Sequence, residues 1–275
     1  MSSPGRPKSE HRSAQHEGSS MSKALLSLSG VHTHIGAYHI LHGVDFDVPA
    51  GQVTMLLGRN GAGKTTTLRT IMGLWSASQG RIAFDGRRIG GPAEAGGKAD
   101  SPRTPEIAQL GIAYVPENKG IFADLTVREN MLLAARQAKN AAELDTTRLE
   151  WLFGLFPALR KFWLYPAGKL SGGQKQMLAI ARAMVEPRRL LLIDEPSKGL
   201  APAIVQNLIT ALRELKSTAT TVLLVEQNFA MAKALGDTVA VMDDGRVVHR
   251  GEMAALAEDD ALQHKLLGLS LATHQ

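Results

Sequence analysis

The sequence predicts an α/β fold: a parallel sheet covered by helices, with an antiparallel β lead-in and an inserted α-helical subdomain. Short apolar segments with strand character alternate along the chain with segments of helical periodicity, which is typical of parallel sheets. Residues 118–187 interrupt that alternation with a mostly helical pattern. We therefore expect one domain over residues 23–270, with 118–187 as a helical subdomain inserted in its core.

The two ends of the chain differ in composition from this domain. Residues 1–22 contain almost no large apolar side chain, so we expect a disordered tail, and Met21 is a second candidate for the true start. Residues 271–275 form a short tail at the other end.

Bulk composition excludes several classes of protein. The 275 residues are 44% apolar, which is typical of globular chains, and the formal net charge of +5 is too small to indicate a nucleic-acid groove. The chain has no cysteine, which excludes disulfides and thiolate metal sites. No apolar run reaches the ~18 residues of a membrane span, and the N-terminus lacks a signal-peptide core. We expect a soluble, cytoplasmic chain.

The strands and turns of the first third follow from alternation and turn residues. Alternating apolar residues over 25–28 and 44–48 predict half-buried strands, and Val53–Leu57 predicts a buried one. Asp85-Gly86 and Asp244-Gly245 predict hairpin turns. The Gly-, Ala- and Pro-rich segment 87–108 predicts an extended, mobile surface loop.

Helical periodicity and capping residues predict most of the remaining elements. A helix begins near Lys64, and the capping box Thr126-Val-Arg-Glu129 opens another. A helical stretch around 149–156 ends at Pro157. Further along, a buried strand at Leu190–Ile193, a helix over 203–215 and a strand over 221–225 continue the alternation.

A glycine-rich loop follows the strand Val53–Leu57 and precedes a helix. It fits the pattern G-x-x-x-x-G-K-S/T, and we expect it and the next threonine to bind nucleotide phosphates: Gly58, Arg59, Asn60, Gly61, Ala62, Gly63, Lys64, Thr65 and Thr66. Lys64 would reach the β- and γ-phosphates, and Thr65 would supply a hydroxyl for Mg²⁺. A structural turn is disfavoured by the flanking elements, and a dinucleotide loop would need glycine in place of Lys64. The loop predicts a P-loop nucleoside triphosphatase core.

Two carboxylates end the strand Leu190–Ile193, at the edge of the sheet where α/β proteins bind ligands. We expect Asp194 to belong to the Mg²⁺ shell and Glu195 to act as the general base that polarises the attacking water. A solvated pair at a strand end is the alternative interpretation.

Between these motifs lies Leu170-Ser-Gly-Gly-Gln174, and with it the chain resembles the ATP-binding cassette family from about Ala24 to its end. The resemblance implies ATP hydrolysis by two cassettes packed head to tail. Ser171, Gly172, Gly173 and Gln174 of one cassette would then face the γ-phosphate bound to the other. A helix N-terminus with exposed backbone N–H groups suits that role.

Four positions depart from the commonest pattern of the family. Glu117, Ala201 and Gln227 replace the usual glutamine, aspartate and switch histidine, and Ile35 stands where an adenine-stacking aromatic is usual. The first three resemble cassettes that drive import of branched-chain and other hydrophobic amino acids.

Two of these positions keep alternatives open. Glu117 is either a Mg²⁺ ligand or an exposed carboxylate that meets only water. Tyr38 or His34 could offer a flat face to adenine in place of Ile35, or Tyr38 could merely cover the strand layer. We expect weak selection of the base.

Gln227 follows a buried strand, at the position where the family usually has a histidine. The charge of a histidine depends on pH, whereas a glutamine amide does not titrate. We expect its amide to donate to a phosphate oxygen or to orient the attacking water; the alternative is a structural role at the strand end.

The resemblance implies that ATP and Mg²⁺ bind and that the chain works at the cytoplasmic face of a membrane. The implied partners are two transmembrane permease subunits, a second cassette and, through the permease, a periplasmic or extracellular solute-binding protein; no nucleic acid is implied. The alternatives are a soluble or regulatory cassette ATPase not coupled to transport, and a GTPase, for which no N-K-x-D motif is present. The sequence leaves the solute and the pairing of like or unlike cassettes open.

Overall fold

The computed structural model describes residues 23–92, 102–135, 144–218 and 220–268. The predicted tails, 1–22 and 271–275, lie outside the described residues, as does most of the glycine-rich part of segment 87–108. The predicted domain boundaries therefore stay predictions.

Ten strands and ten α-helices make up the described part of the chain. The strands are β1 (Ala24–Ile35), β2 (Tyr38–Pro49), β3 (Val53–Gly58), β4 (Ala77–Phe84), β5 (Arg87–Gly90), β6 (Ile112–Val115), β7 (Leu190–Asp194), β8 (Thr221–Val225), β9 (Thr238–Asp243) and β10 (Arg246–Glu252). The helices are α1 (Lys64–Ile71), α2 (Thr104–Gln109), α3 (Val127–Ala134), α4 (Thr146–Leu155), α5 (Pro157–Lys161), α6 (Gly172–Met184), α7 (Pro202–Ser217), α8 (Phe229–Leu235), α9 (Met253–Glu258) and α10 (Asp260–Leu267).

The strands form two sheets. An antiparallel sheet has the order β2-β1-β4-β5, and a six-stranded sheet has the order β10-β9-β3-β8-β7-β6. In the larger sheet β6, β7, β8, β3 and β9 run parallel, and only β10 pairs antiparallel, with β9. The predicted parallel core and antiparallel lead-in are confirmed.

Strand β3 lies inside the larger sheet and is buried on both faces. Val53, Met55 and Leu57 belong to the hydrophobic core shared with the helices α3 to α9, whereas Leu56 belongs to a second core under the antiparallel sheet and α1. Burial on both faces explains why this strand has a continuous apolar sequence rather than an alternating one.

The inserted subdomain is helical, as predicted. Helices α3 to α6 lie between β6 and β7, and a short 3-10 turn (Ala167–Lys169) precedes α6. The capping box at the start of α3 is present, since Thr126 Oγ1 accepts from Glu129 N and Thr126 N donates to Glu129 Oε2. Pro157 ends α4 but also begins α5, where its missing N–H has no cost.

The prediction of an extended loop over residues 87–108 was wrong at both ends. Arg87–Gly90 is a strand paired with β4, and Thr104–Gln109 is a helix. Both elements are too short to show periodicity in the sequence. The strand follows the Asp85-Gly86 hairpin turn, and the helix is capped at its start, where Arg103 N donates to the Glu106 carboxylate. The hairpin itself was predicted correctly, with Asp85 and Gly86 both at positive φ.

Within the ranges that the structure describes, no helix is both long enough and apolar enough to cross a bilayer.

Candidate functional site

The strand order brings three predicted motifs to one edge of the larger sheet. β8 pairs with β3 on one side and with β7 on the other, and all three strands run in the same direction. Their carboxyl ends therefore meet, placing the phosphate loop after β3, the acidic pair after β7 and Gln227 after β8 side by side.

The phosphate loop needs glycine at two close approaches. At Gly58, with φ 147°, an added Cβ would lie 2.3 Å from the Met242 carbonyl oxygen. At Gly63, with φ 99°, it would lie 2.9 Å from Leu41 Cδ2. Any other residue at these positions would push the loop away from its neighbours.

Lys64 is the first residue of α1 and is only 4% exposed. Its ammonium donates to the carbonyl oxygens of Gly58 at 2.8 Å and Arg59 at 3.0 Å, which holds it inside the curl of the loop. A buried cation beside a helix N-terminus and glycine-lined backbone is the arrangement expected for binding phosphate groups.

Thr65 and Asp194, the two residues predicted to hold Mg²⁺ together, are in direct contact. Thr65 Oγ1 donates to Asp194 Oδ1 at 3.1 Å, and the Tyr114 hydroxyl donates to Oδ2 at 3.2 Å. Burial raises the pKa of Asp194 against the effect of these two hydrogen bonds, and the charges of Glu195 and Glu117 raise it further. A hydroxyl and a carboxylate side by side are a donor set that suits a hard cation such as Mg²⁺.

Tyr114 was not predicted as part of the site. Burial, followed by the Asp194 charge, raises its pKa to about 12, so its hydroxyl stays a donor. Its position three residues before Glu117 was the only available signal.

Glu195 adopts a backbone conformation rare for a residue with a side chain, with φ 45°. Its Oε1 accepts from Gln227 Nε2 at 2.7 Å and lies 3.6 Å from Lys64 Nζ, and its Oε2 lies 3.3 Å from Lys198 Nζ. Burial works to raise the pKa of Glu195, but the Gln227 hydrogen bond and the two ammonium groups bring it below its ordinary value. A strained, ionised carboxylate facing the phosphate loop fits a general base.

The Gln227 amide bridges two of the motifs. Besides Glu195, its Nε2 donates to Asn60 Oδ1 of the phosphate loop at 2.6 Å. The amide therefore contacts side chains of the site rather than only strand-end backbone.

Glu226 was not predicted as part of the site, but its carboxylate holds the backbone next to Gln227 in place. This carboxylate is 2% exposed and accepts from Ser197 N and Oγ, both at 2.9 Å, and from the backbone N–H groups of Gln227 and Asn228. Burial raises its pKa against the effect of these hydrogen bonds. It ties the turn after β7 to the turn after β8; its place beside Gln227 was the one available signal.

Glu117 does not face water alone. Its Oε1 accepts from Lys198 Nζ at 2.6 Å, and both residues line a cleft of about 350 Å³ together with Lys64, Thr65 and Glu195. Lys198 was not predicted as part of the site, and its position three residues after Glu195 was the only available signal.

The signature residues lie apart from this cleft. Ser171 Oγ accepts from Gln174 N and Gln174 Oε1 accepts from Ser171 N, so both side chains cap α6. Ser171 and Gly172 are exposed, whereas Gly173 packs against α7, where an added Cβ would lie 2.6 Å from Ile204 Cγ2. Among the described residues that line the cleft, none belongs to Ser171–Gln174.

The candidate adenine contacts differ in their surroundings. Tyr38 is 75% exposed at the β1–β2 turn and does not cover the strand layer. The His34 ring stacks on that of His39, with centroids 4.1 Å apart. Ala201 is the N-cap residue of α7 and offers no side-chain hydrogen bond there.

A glycine-rich loop with a buried lysine at a helix N-terminus, a hydroxyl–carboxylate pair beside it and an adjacent ionised carboxylate are typical of the class of P-loop nucleoside triphosphatases. Comparison with known proteins narrows this class. The model of the ABC transporter family matches residues 41–198, more than half of the chain. The chain belongs to the ATP-binding cassette family and is one of its ATPases.

Individual relatives agree with this assignment. The chain is 36% identical over 244 residues to the high-affinity branched-chain amino acid transport ATP-binding protein BraG of Pseudomonas aeruginosa, covering 89% of this chain and 100% of the relative. It is 34% identical over 232 residues to the probable branched-chain amino acid transport ATP-binding protein LivF of Archaeoglobus fulgidus, covering 84% and 93%.

A solved ATP-binding subunit of an ABC transporter superposes with a TM-score of 0.70 at 31% identity, covering 90% of this chain and 96% of that one. A nucleotide-free ATP-binding cassette superposes with a TM-score of 0.72 at 24% identity, covering 90% and 100%, and supports the fold.

Proposed function

We propose that the chain is the ATP-hydrolysing subunit of a membrane importer for branched-chain or other hydrophobic amino acids. The observation that carries the proposal is the cleft lined by Lys64, Thr65 and Glu195, with Asp194 hydrogen-bonded to Thr65 and Gln227 hydrogen-bonded to Glu195. The cargo rests on the names of the two relatives, which describe branched-chain amino acid transport and match over most of their own length. The direction rests on Glu117, Ala201 and Gln227, which resemble the residues of importer cassettes.

The chain's own residues divide the work of binding and hydrolysis. The backbone of Gly58–Gly63 and the Lys64 ammonium bind the phosphates of ATP, and Glu195 accepts a proton from the attacking water. Gln227 lies beside Glu195 and Asn60, where its amide can hold that water or a phosphate oxygen.

Thr65 and Asp194 are the residues that would hold Mg²⁺, with Glu117 as a further candidate at the cleft. The ion would neutralise charge on the β- and γ-phosphates. Both donors are oxygen atoms, as this hard cation prefers.

A second cassette completes the proposed site. The exposed N-terminus of α6, with Ser171, Gly172, Gly173 and Gln174, is suited to cap an anion bound elsewhere, because its first N–H groups are not used within the helix. We propose that it caps the γ-phosphate held by a partner cassette, of the same or a different sequence.

The membrane part of the importer would consist of two permease subunits, reached by a solute-binding protein on the far side. The chain would lie peripherally at the cytoplasmic face. Its helical subdomain begins beyond Glu117, so movement of that subdomain is a route from the cleft to the permeases.

Glu195→Gln tests the catalytic part of the proposal. The variant should bind ATP, form a dimer in the presence of ATP and Mg²⁺, and lose hydrolysis by about a hundredfold or more. Phosphate release and size-exclusion chromatography measure these effects, with Glu258→Gln at the end of α9 as a matched control. Unchanged turnover in Glu195→Gln would remove the assignment of the base.

Uptake in the native cell tests the transport part. Deleting the gene should abolish high-affinity uptake of labelled leucine, isoleucine or valine, and the wild-type chain but not Glu195→Gln should restore it. Full ATPase activity in vitro combined with unchanged uptake of these amino acids would favour a different cargo or an ATPase not coupled to transport.

A further inference from the structure

A single ammonium group lies between two carboxylates that come from different parts of the fold. Lys198 Nζ is 2.6 Å from Glu117 Oε1 and 3.3 Å from Glu195 Oε2. Glu195 directly follows β7, whereas Glu117 follows β6 on the loop that leads into the helical subdomain. The three side chains form a bridge between two segments that line the cleft.

Hydrogen bonds hold the backbone of Lys198 in the turn that follows β7. Lys198 N donates to Glu195 O at 3.2 Å, and the preceding Ser197 is held by Glu226 through both its N–H and its hydroxyl. The side chain therefore reaches back over its own turn to Glu195.

The carboxylate of Glu195 is held from two sides. Oε1 accepts a hydrogen bond from Gln227 and lies near Lys64. Of these three side chains, only Lys198 lies near Oε2. A carboxylate held at both oxygens has one orientation, and the loss of either contact frees it to rotate.

The two ends of the bridge differ in burial. Glu195 is 7% exposed, whereas Lys198 and Glu117 are 52% and 42% exposed. Ion pairs at exposed positions are weak and break readily, so the Glu117 end can open while Glu195 stays in place.

The loop beyond Glu117 is bound to the helical subdomain. Phe122 N donates to Asn130 Oδ1, and Asn130 Nδ2 donates to Phe122 O, which ties this loop to α3. Glu117 therefore lies on a segment whose far end is anchored to helix α3 of the subdomain.

We propose that Lys198 is a positioning residue that orients Glu195 for hydrolysis and links this orientation to the place of Glu117 on the loop of the helical subdomain. The inference rests on the proposed function, because Glu195 must be the base. It assigns a role to a side chain outside the phosphate loop, the acidic pair and the signature.

The test compares Lys198→Met, Lys198→Arg and the control Lys233→Met, an exposed lysine of α8, in the purified full-length chain. Lys198→Met should lower kcat by roughly twofold to fivefold, as expected for one exposed charge contact, while KM for ATP stays at the wild-type value. Lys198→Arg should restore kcat, and Lys233→Met should equal the wild type.

A binding measurement keeps folding separate from positioning. A fluorescent ATP analogue should bind Lys198→Met with wild-type affinity, with or without Mg²⁺, and the thermal midpoint should stay near that of the wild type. A rise in Kd equal to the fall in kcat, or an arginine variant no better than methionine, would overturn the inference.

The link to Glu117 is tested by a double-mutant cycle. Glu117→Gln should lower kcat when Lys198 is present. In the Lys198→Met variant, the same substitution should have little further effect on kcat. A Glu117→Gln loss that persists in full without Lys198 would show that Glu117 acts alone and would overturn the link. If the wild type hydrolyses no ATP, the proposed function and the inference both fall; if it does and Lys198→Met has the same kcat, only the inference falls.

Discussion

The Gln227 amide donates to Glu195 across a distance of 2.7 Å, although the two residues follow different strands of the sheet, β8 and β7. The same nitrogen reaches Asn60 of the phosphate loop. One neutral side chain thus touches both the proposed base and the loop that holds the nucleotide, and it does so without a group that titrates.

Replacement of Gln227 should affect hydrolysis more than binding. Gln227→Ala should lower kcat by about tenfold to a hundredfold, the range expected for the loss of a hydrogen bond to a charged group, with a smaller change in Kd for ATP. Gln227→His should stay partly active, because an imidazole can donate to the same acceptors. The matched control is Gln206→Ala on the exposed face of α7. Equal losses of binding and turnover would return Gln227 to a structural role.

Asp194 should limit the stability of the chain when no Mg²⁺ is added. Burial and the neighbouring carboxylates raise its pKa, so the folded chain binds this proton more tightly than the unfolded chain does. Its contribution to stability is complete below the unfolded-state pKa and is lost as pH rises through the higher folded-state pKa. Asp194→Asn should therefore raise the thermal midpoint above that of the wild type, by a margin that grows between pH 4 and pH 7.

Differential scanning fluorimetry across pH, with Asp124→Asn as an exposed control, measures that margin. Added Mg²⁺ with ATP should stabilise the wild type and not Asp194→Asn. A margin that shrinks as pH rises would contradict the raised pKa.

Glu226 should matter for stability more than its position beside the site suggests. Glu226→Ala leaves the donors of Ser197, Gln227 and Asn228 without their acceptor and should lower the free energy of unfolding by about 1–3 kcal/mol. Urea unfolding measures this change. Ser197→Ala removes only the hydroxyl contact and should cost about 1 kcal/mol, so a larger loss in Ser197→Ala than in Glu226→Ala would contradict the prediction.

Two glycines of the phosphate loop should respond differently to alanine. Gly58→Ala forces a Cβ to 2.3 Å from the Met242 carbonyl oxygen, so it should abolish nucleotide binding and lower stability by several kcal/mol. Gly61 has φ 82° but no atom within 4 Å of an added Cβ, so Gly61→Ala should cost only about 1–2 kcal/mol of backbone strain. Nucleotide titration and thermal unfolding compare the pair, and equal effects would contradict the steric argument.

The sequence predicted those parts of the site whose signal is local. The phosphate loop is one continuous segment whose spacing sets its geometry, so its nine residues and the strand and helix around it could be named in advance. Asp194 and Glu195 followed from the rule that ligands bind at the carboxyl ends of parallel strands.

Contacts made through the fold could not be named from the sequence. Lys198 contacts Glu117, Tyr114 contacts Asp194 and Glu226 contacts Ser197, each pair joining the ends of two neighbouring strands. Which strand ends are neighbours depends on the strand order β3-β8-β7-β6. Periodicity does not encode that order. Likewise β5 exists because β4 lies beside it, and its four residues taken alone look like loop.

The strand order also bears on how the chain reaches its native state during synthesis. The four strands of the antiparallel sheet all lie between Ala24 and Gly90, so that sheet can pair early. β3 is different, because its two neighbours are β8 and β9, which begin only at Thr221 and Thr238. We therefore expect β3 to lack hydrogen-bonded neighbours until nearly the whole polypeptide has left the ribosome. Chains truncated before Thr221 should aggregate rather than fold.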